Sequence, residues 1–273
     1  MPNTTETADT AGVLSVMRPP DARSRPGIRT ELGQLISLQI LNWRWTWRTF
    51  LVLGTILPVL YGLMLGTALR HSTPGAVSQA QALIGAVLLS ASVDSMGKTS
   101  AHFVNLRQTG GLDHLLRLPV RPALLIVSTG AAFCAFALPG IVATIVLDAW
   151  LLDVELAVSP LAVLVVPVAV FAYVGIGALI GGLTPTPELA SPLSLLVSLA
   201  SLGAGAVVLP APLLPPALQA VGDFNPATYI ADALRGALLP GDHPHLAISV
   251  LITCVFTATA VVSAGAWVRR WAA

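Results

Sequence analysis

Charge is what this sequence has least of. Charged residues make up 10% of its 273 residues and hydrophobic ones 55%, whereas an ordinary soluble domain carries about 25% charge. A water-facing surface cannot be assembled from so few ionic groups, which excludes a soluble globular protein. The net charge is +1, and there is no long run of like charge to attract a nucleic acid. Cysteine is scarce too. Cys134 and Cys254 both lie inside apolar runs and are expected as buried free thiols, not as a disulfide. The first 30 residues contain no stretch that suits a signal peptide: residues 12–17 are only weakly apolar and too short. Residues 1–30, rich in Thr, Pro and Arg, are expected to be a disordered tail.

A nucleotide site is missing one residue. The stretch SMGKTS, residues 95–100, holds the Gly97-Lys98-Thr99 triplet that closes a phosphate-cradling loop. Such a loop needs Gly-x-x-x-x-Gly-Lys-Ser/Thr between a strand and a helix. The leading glycine would fall at Ser92, and the run before it, ALIGAVLLSAS, is the end of an apolar span. Lys98 therefore reads as a basic anchor at a span exit. Asp94 beside it reads as an ion-paired or snorkelling group, not as a buried functional charge. The stretch DHPH, residues 242–245, reads as a solvated turn and not as a metal site.

Long apolar runs are what the chain does have. A helix needs about 20 mostly apolar residues to cross the hydrocarbon core. Stretches free of Asp, Glu, Lys, Arg and His cover 49–69, 72–93, 122–147, 156–187, 189–222 and 246–268. The fourth is centred on 161–183 and the fifth on 189–209. None alternates with the period of two that barrel strands need. The expected fold class is all-α: a polytopic membrane protein with six transmembrane helices. Pro58, Pro139 and Pro167 fall inside spans, where neighbouring helices can satisfy the carbonyls they free. Gly175, Gly177, Gly181 and Gly182 are expected to thin one face of the fourth span, for packing within the protomer or between copies.

Short cytoplasmic loops collect Lys and Arg. With the N-terminus inside, that side receives Arg18, Arg23, Arg25, Arg29, Arg44, Arg48, Lys98, Arg107, Arg117, Arg121, Arg269 and Arg270. The outside receives only Arg70 and Arg235, beside Asp148, Asp153, Glu155, Asp223, Asp232 and Asp242. Both termini are expected in the cytoplasm.

Three segments outside the spans stand out. Residues 31–48 combine a partly amphipathic leucine and isoleucine face with Trp43, Trp45 and Trp47 interleaved with Arg44 and Arg48. Such residues suit the headgroup layer, so an N-terminal interfacial helix is expected. In residues 103–122, Leu112, Leu115 and Leu116 share one helical face, with Asp113, His114 and Arg117 on the other. This short cytoplasmic helix either steadies a loop at the interface or inserts into a partner protein. Beyond the fifth span, Pro210, Pro212, Pro215 and Pro216 oppose a regular membrane helix. Residues 211–222 are too few to cross and read as an outer re-entrant or interfacial segment. Residues 226–239 read as a short outer helix with Pro226 in its first turn, where Asp232 and Arg235 form an exposed pair.

Two of these segments carry a family resemblance. Arg107, Gly110-Gly111, Leu115-Leu116 and Leu118-Pro119-Val120 resemble the first cytoplasmic loop of type-2 ABC-transporter permeases, with Gly111 where Thr is common and Asp113 where Glu is frequent. Residues 191–239 are similar to that family's signature region. The matching elements are Pro210 through Pro215-Pro216, Leu218, Asn225-Pro226-Ala227-Thr228-Tyr229 and Leu234-Arg235-Gly236. Gly203 to Gly205 stands where an aromatic-Ser-Gly run is usual. With the six spans, the resemblance covers residues 31–270 as one permease domain. It is nearest in character to small drug-export permeases of actinobacteria that lack large outer domains.

The resemblance implies a half-transporter in a bacterial cell membrane. Two permease chains would pair, as a homodimer, and separate ATP-binding-cassette subunits would dock below, carrying the ATP and magnesium; none is expected in this chain. Arg107, Gly111, Asp113, Leu115, Leu116, Arg117 and Pro119 would form the coupling helix that meets the ATPase. Pro210, Pro215, Asn225, Pro226, Tyr229 and Arg235 would form an outer gate. The expected function is export of an amphiphilic or hydrophobic substrate: a drug, an antibiotic or a lipid-like molecule. An intramembrane enzyme would need ionisable or nucleophilic groups in the spans, and the charge-free cores hold no His, Asp or Glu. An ion-gradient-driven secondary transporter, the alternative, usually shows buried charges and internal repeats.

The isolated chain is expected not to bind ATP, and Lys98→Ala to leave the nucleotide affinity of the assembled transporter unchanged. Equilibrium binding of a labelled nucleotide checks both. Measurable binding to the isolated chain would contradict the reading of residues 95–100.

Overall fold

Hydrocarbon offers no water to a backbone amide, so apolar runs of this length satisfy their amides within helices. The computed structural model describes residues 33, 36–37, 47–72, 76–112, 122–205, 207, 215–241 and 244–271. Regular structure among them is helical and no strand is present. The helices are α1 (Trp47–Ser72), α2 (Ala76–Gln108), α3 (Pro122–Leu152), α4 (Ala162–Leu183), α5 (Pro187–Ala204), α6 (Pro216–Phe224), α7 (Pro226–Leu238) and α8 (Leu246–Trp271). The tail 1–30 lies outside the described residues, as does almost all of the interfacial segment 31–48.

Among the described residues, five stretches are long and apolar enough to cross a membrane: Gln79–Gln108, Leu124–Leu152, Ala162–Leu183, Pro187–Ala204 and Leu246–Val268. α1 adds a shorter apolar stretch, Gly54–Ala68. Several expected boundaries move. The second span was expected to stop before Asp94, yet α2 runs on to Gln108. Asp94 and Lys98 form an ion pair one turn apart, so neither charge ends the helix. Lys98 thus lies within α2 and not in an exit loop. The triplet Gly97-Lys98-Thr99 is helical and forms no phosphate loop. Asp148 was expected in an outer loop; α3 continues through it to Leu152, and Asp148 is fully buried. The fifth span ends earlier than expected, at Ala204.

α2 is the central element. In its most apolar window 78% of the residues are buried inside the bundle, against 22% in α5 and 17% in α8. One large core runs from Ala82 and Leu83 through Ile141, Val170 and Tyr173 to Ile230 and Leu234. A second, smaller core at the far end of α2 joins Phe103, Leu112, Leu125, Ile126, Ala178, Ala264 and Val268. The faces turned away carry Ile56, Leu60 and Met64 on α1, Leu189, Leu193 and Leu196 on α5, and Leu251, Val255 and Val262 on α8, all exposed. An apolar exterior of this kind suits lipid as its solvent.

The glycines of α4 explain the tight centre. They serve two opposite faces, not the single face expected from the sequence. A Cβ on Gly177 would lie 2.6 Å from the Met96 carbonyl oxygen, and one on Gly181 2.5 Å from that of Ser100. On the other side, a Cβ on Gly175 would meet Ala260, and one on Gly182 would strike the Trp267 ring. Backbone therefore approaches backbone between α4 and α2, and α4 is also clasped by α8. This is packing within the chain. Ser194 Oγ donates to Ser100 Oγ at 2.7 Å and ties α5 to the same turn of α2. Pro58 interrupts α1; it leaves the Gly54 carbonyl without its helical donor, and Ser90 Oγ of α2 donates to that carbonyl at 3.1 Å. Cys134 and Cys254 are free thiols; Cys134 is buried, as expected, and Cys254 is only half-buried.

Gly181→Ala is expected to cost about 1–3 kcal/mol, because the opposing atoms are backbone and cannot swing aside. Gly97→Ala, where a Cβ meets nothing within 4 Å, is expected to be neutral or to gain up to about 1 kcal/mol of helix propensity. Thermal melting of the two purified variants against the parent chain checks the contrast.

Candidate functional sites at the two ends of the bundle

The last turn of any helix leaves carbonyls without intrahelical donors. At the end of α4 those carbonyls belong to a neighbour's side chain. Arg107, in the last turn of α2, donates from Nη1 to the Gly181 and Thr184 carbonyls, each at 3.1 Å, and to that of Gly182. Its guanidinium also lies over the Trp267 ring of α8, 5.9 Å from the centroid, a cation–π geometry. Gln108 Nε2 donates to the Pro185 carbonyl at 3.2 Å. Three helices thus meet on one arginine.

The chain then turns sharply. Gly110 takes φ +70°, a left-handed conformation that closes a helix and favours glycine. Its amide donates to the Arg107 carbonyl at 3.3 Å. Gly111 follows against Leu106, and Leu112 is fully buried in the smaller core. The leucine face expected to meet a partner therefore begins turned onto the bundle itself. Of the expected coupling residues, Arg107 and Gly111 come together here. Asp113, Leu115, Leu116, Arg117 and Pro119 lie outside the described residues.

At the opposite end, Asn225 joins three helices. It precedes Pro226, which is suited to the first helical position because it lacks an amide hydrogen. Asn225 Oδ1 accepts from the Ala227 amide at 3.0 Å and caps α7. The same oxygen accepts from Ser201 Oγ of α5 at 3.2 Å, and Asn225 Nδ2 donates to the Ser201 carbonyl. Thr228 Oγ1 donates to the Gly222 carbonyl at 2.9 Å and Tyr229 Oη to that of Asp223 at 2.7 Å, folding α6 onto α7. A Cβ on Gly205 would lie 2.8 Å from Thr228 Oγ1, so glycine is required at this crossing. Pro215 caps the start of α6 and is exposed; Pro210 lies outside the described residues.

Arg235 was expected in an exposed pair with Asp232. The pair forms, but it is part of a half-buried network. Arg235 Nη2 donates to Gln81 Oε1 at 2.8 Å, and Gln81 Nε2 donates to the Val207 carbonyl at 2.7 Å. Burial pulls the Arg235 guanidinium below its ordinary pKa, and Asp232 beside it works in the opposite direction. Gln81 escaped the sequence reading. Its signal was its polarity near the start of an otherwise apolar run. The loop before α4 completes this end: the amides of Ala157 and Ser159 donate to the Leu238 and Ala237 carbonyls at 2.9 Å, closing the C-terminus of α7.

Between the two ends, the described helices hold more ionisable groups than the charge-free runs suggested. The Asp94–Lys98 pair faces α1 at Gly54. The His102 ring stands edge-on to Phe103 and Phe133, 5.8 Å from each. Asp148 is fully buried, with neither carboxylate oxygen hydrogen-bonded. No group of three or more metal-ligating side chains is present among the described residues. This arrangement binds helix ends together and encloses a few ionisable groups between them.

Asn225→Ala removes the cap and the clamp to Ser201, and is expected to cost about 1–2 kcal/mol. Asn225→Asp keeps the capping oxygen but loses the Nδ2 donor. Thermal melting is expected to rank the parent chain above Asn225→Asp, and Asn225→Asp above Asn225→Ala.

Two comparisons with known proteins bear on identity. No match is found among curated proteins. A family profile described as ABC-2 type transporter matches residues 30–239. That match takes in the Arg107 turn, the Asn225 clamp and the Arg235 network, and it spans most of the chain. A multi-pass bundle with an apolar exterior is what a membrane-embedded subunit requires, and permeases of this kind work with an ATP-binding subunit. The chain belongs to the ABC-2 type transporter family, as the membrane subunit of an ABC transporter.

Proposed function

We propose that the chain is the permease of an ATP-driven exporter, similar to the small actinobacterial drug-export permeases, and moves an amphiphilic or hydrophobic substrate such as a drug, an antibiotic or a lipid-like molecule out of the cell. The family match over residues 30–239 carries this reading. In it, α1 with its apolar stretch Gly54–Ala68 is the first of six spans. The end bearing Arg107 and the basic residues faces the cytoplasm of a bacterial cell, by the asymmetry of Lys and Arg. Two chains pair, and a separate ATPase binds beneath and hydrolyses ATP with magnesium.

The segment that leaves Gly110 acts as the coupling helix. Leu112 is buried in the smaller core, so a push from the ATPase on Asp113, Leu115, Leu116, Arg117 or Pro119 reaches the bundle through a fixed anchor. Arg107 serves this role from behind, by joining α2, α4 and α8. Pro210, Pro215, Asn225, Pro226, Tyr229 and Arg235 form the outer gate, where α5, α6 and α7 share hydrogen bonds. The largely apolar spans support an apolar or amphiphilic cargo.

The alternative, a transporter driven by an ion gradient, draws support from one observation. Asp94, Lys98, His102 and Asp148 lie within helices, where such proteins keep their coupling charges. The two readings separate in one assay. In purified complexes of this chain with its ATPase, Leu115→Pro is expected to abolish substrate-stimulated ATP hydrolysis while membrane insertion is kept. Full stimulation in that variant would remove the coupling role, and transport that needs no ATPase would favour the gradient-driven alternative.

A further inference from the structure

Asp148 is a fully buried carboxylate that the permease reading leaves without a role. It sits one turn before the end of α3, inside the apolar stretch Leu124–Leu152. Its side chain is fully buried, and neither oxygen has a hydrogen-bond partner. It is held shut by α1 and α2. A Cβ built on Gly62 of α1 would lie 2.6 Å from Oδ2, and 3.0 Å from the Ala86 Cβ of α2. On the α1 side the fit is too close even for a methyl group on Gly62.

The charged and titratable groups of the surrounding helices lie elsewhere. On α1, Tyr61 is set against Gly85 of α2, and the side chains of residues 70 and 71 are outside those described. On α2, Asp94 lies against Gly54 and is paired with Lys98. Arg107 and His102 sit in the far half of that helix. α4 contributes Tyr173, α8 contributes Cys254 and Arg270, and α3 itself contributes Cys134, with Asp153 just past its end. Among the described residues no cation pairs with Asp148. An unpaired carboxylate in such surroundings costs several kcal/mol or more, and the group is neutralised instead.

A proton neutralises such a carboxylate without needing any space of its own. We propose that Asp148 is a proton-binding site sealed by Gly62 of α1, holding its proton while α1 lies on α3 and releasing it to bulk water when the two separate. No co-reactant is needed: the O–H bond breaks when water reaches the carboxylate, and re-forms from bulk protons on closure. Being one turn from the helix end, about 6 Å at 1.5 Å per residue, the carboxylate is within reach of water as soon as the seam opens. The α1 positions Gly54, Pro58, Gly62 and Gly66 share one face. That face meets Asp94 at Gly54, Asp148 at Gly62 and Leu152 at Gly66, so the seam is built from small residues along the length that must part.

Infrared spectroscopy of the full chain in lipid bilayers at neutral pH tests this without any transport assay. The expected result is a carbonyl stretching band of a protonated carboxylic acid. Isotope-labelled aspartate should move it, Asp148→Asn should remove it, and Asp94→Asn should leave it in place. Transfer to heavy water should shift the band slowly in the parent chain and faster in Gly62→Ala, which wedges the seam. Absence of the band in the parent chain overturns the proposal whatever the variants do. Survival of the band in Asp148→Asn overturns it equally, and exchange as fast in the parent as in Gly62→Ala removes the seal.

Discussion

The close approach of α2 and α4 is the contact on which the rest of the molecule depends. Gly177 and Gly181 let the α4 backbone lie against Met96 and Ser100 of α2 with no side chain between them. Lipid offers helices little reason to associate by hydrophobicity alone, so shape and close packing have to supply it. Because that crossing is tight, Arg107 on α2 lies within reach of the last carbonyls of α4. The same alignment brings Phe103, Leu112, Ala178 and Val268 into one small core. At the other end of α2, Gln81 meets both Val207 and Arg235. One helix thus sets the position of both ends of the bundle.

Much of this was legible in the residues. The all-helical class followed from apolar runs without period-two alternation, and the fourth span lies where its run placed it, as Ala162–Leu183. The helix after Asn225 was legible from Pro226 in its first turn, while the Asn225 cap appeared only in the fold. The missing glycine at Ser92 was enough to set aside a phosphate loop, and the helical backbone there agrees.

What was not legible follows from treating charge as a boundary. A search for charge-free runs cut α2 at Asp94 and α3 at Asp148. The first charge is neutralised by Lys98 within the helix, and the second is enclosed by Gly62 and Ala86. Both are tertiary facts, invisible to a window that moves along one segment. The two-sided role of the α4 glycines was hidden for the same reason: Gly175 and Gly182 pair with α8, and Gly177 and Gly181 with α2. Spacing shows that a face is thin; only assembly shows what fills it. The Arg107 cap escaped too, since nothing in sequence links it to carbonyls more than seventy residues away.

The cap has a consequence for how the molecule can move. An arginine of α2 closes the end of α4, and its ring partner, Trp267, belongs to α8. Tilting any of these three against the others would strip the donors from the last carbonyls of α4. They are therefore geared together as one wedge, and flexing has to fall on the helices at its margin. α5 is such a margin: it is thinly covered, and it ends on glycines at 203 and 205. A force entering at Gly110 would turn the wedge as a solid, and the joint that yields would lie at the other end of α5, about 27 Å along the helix from the place that was pushed.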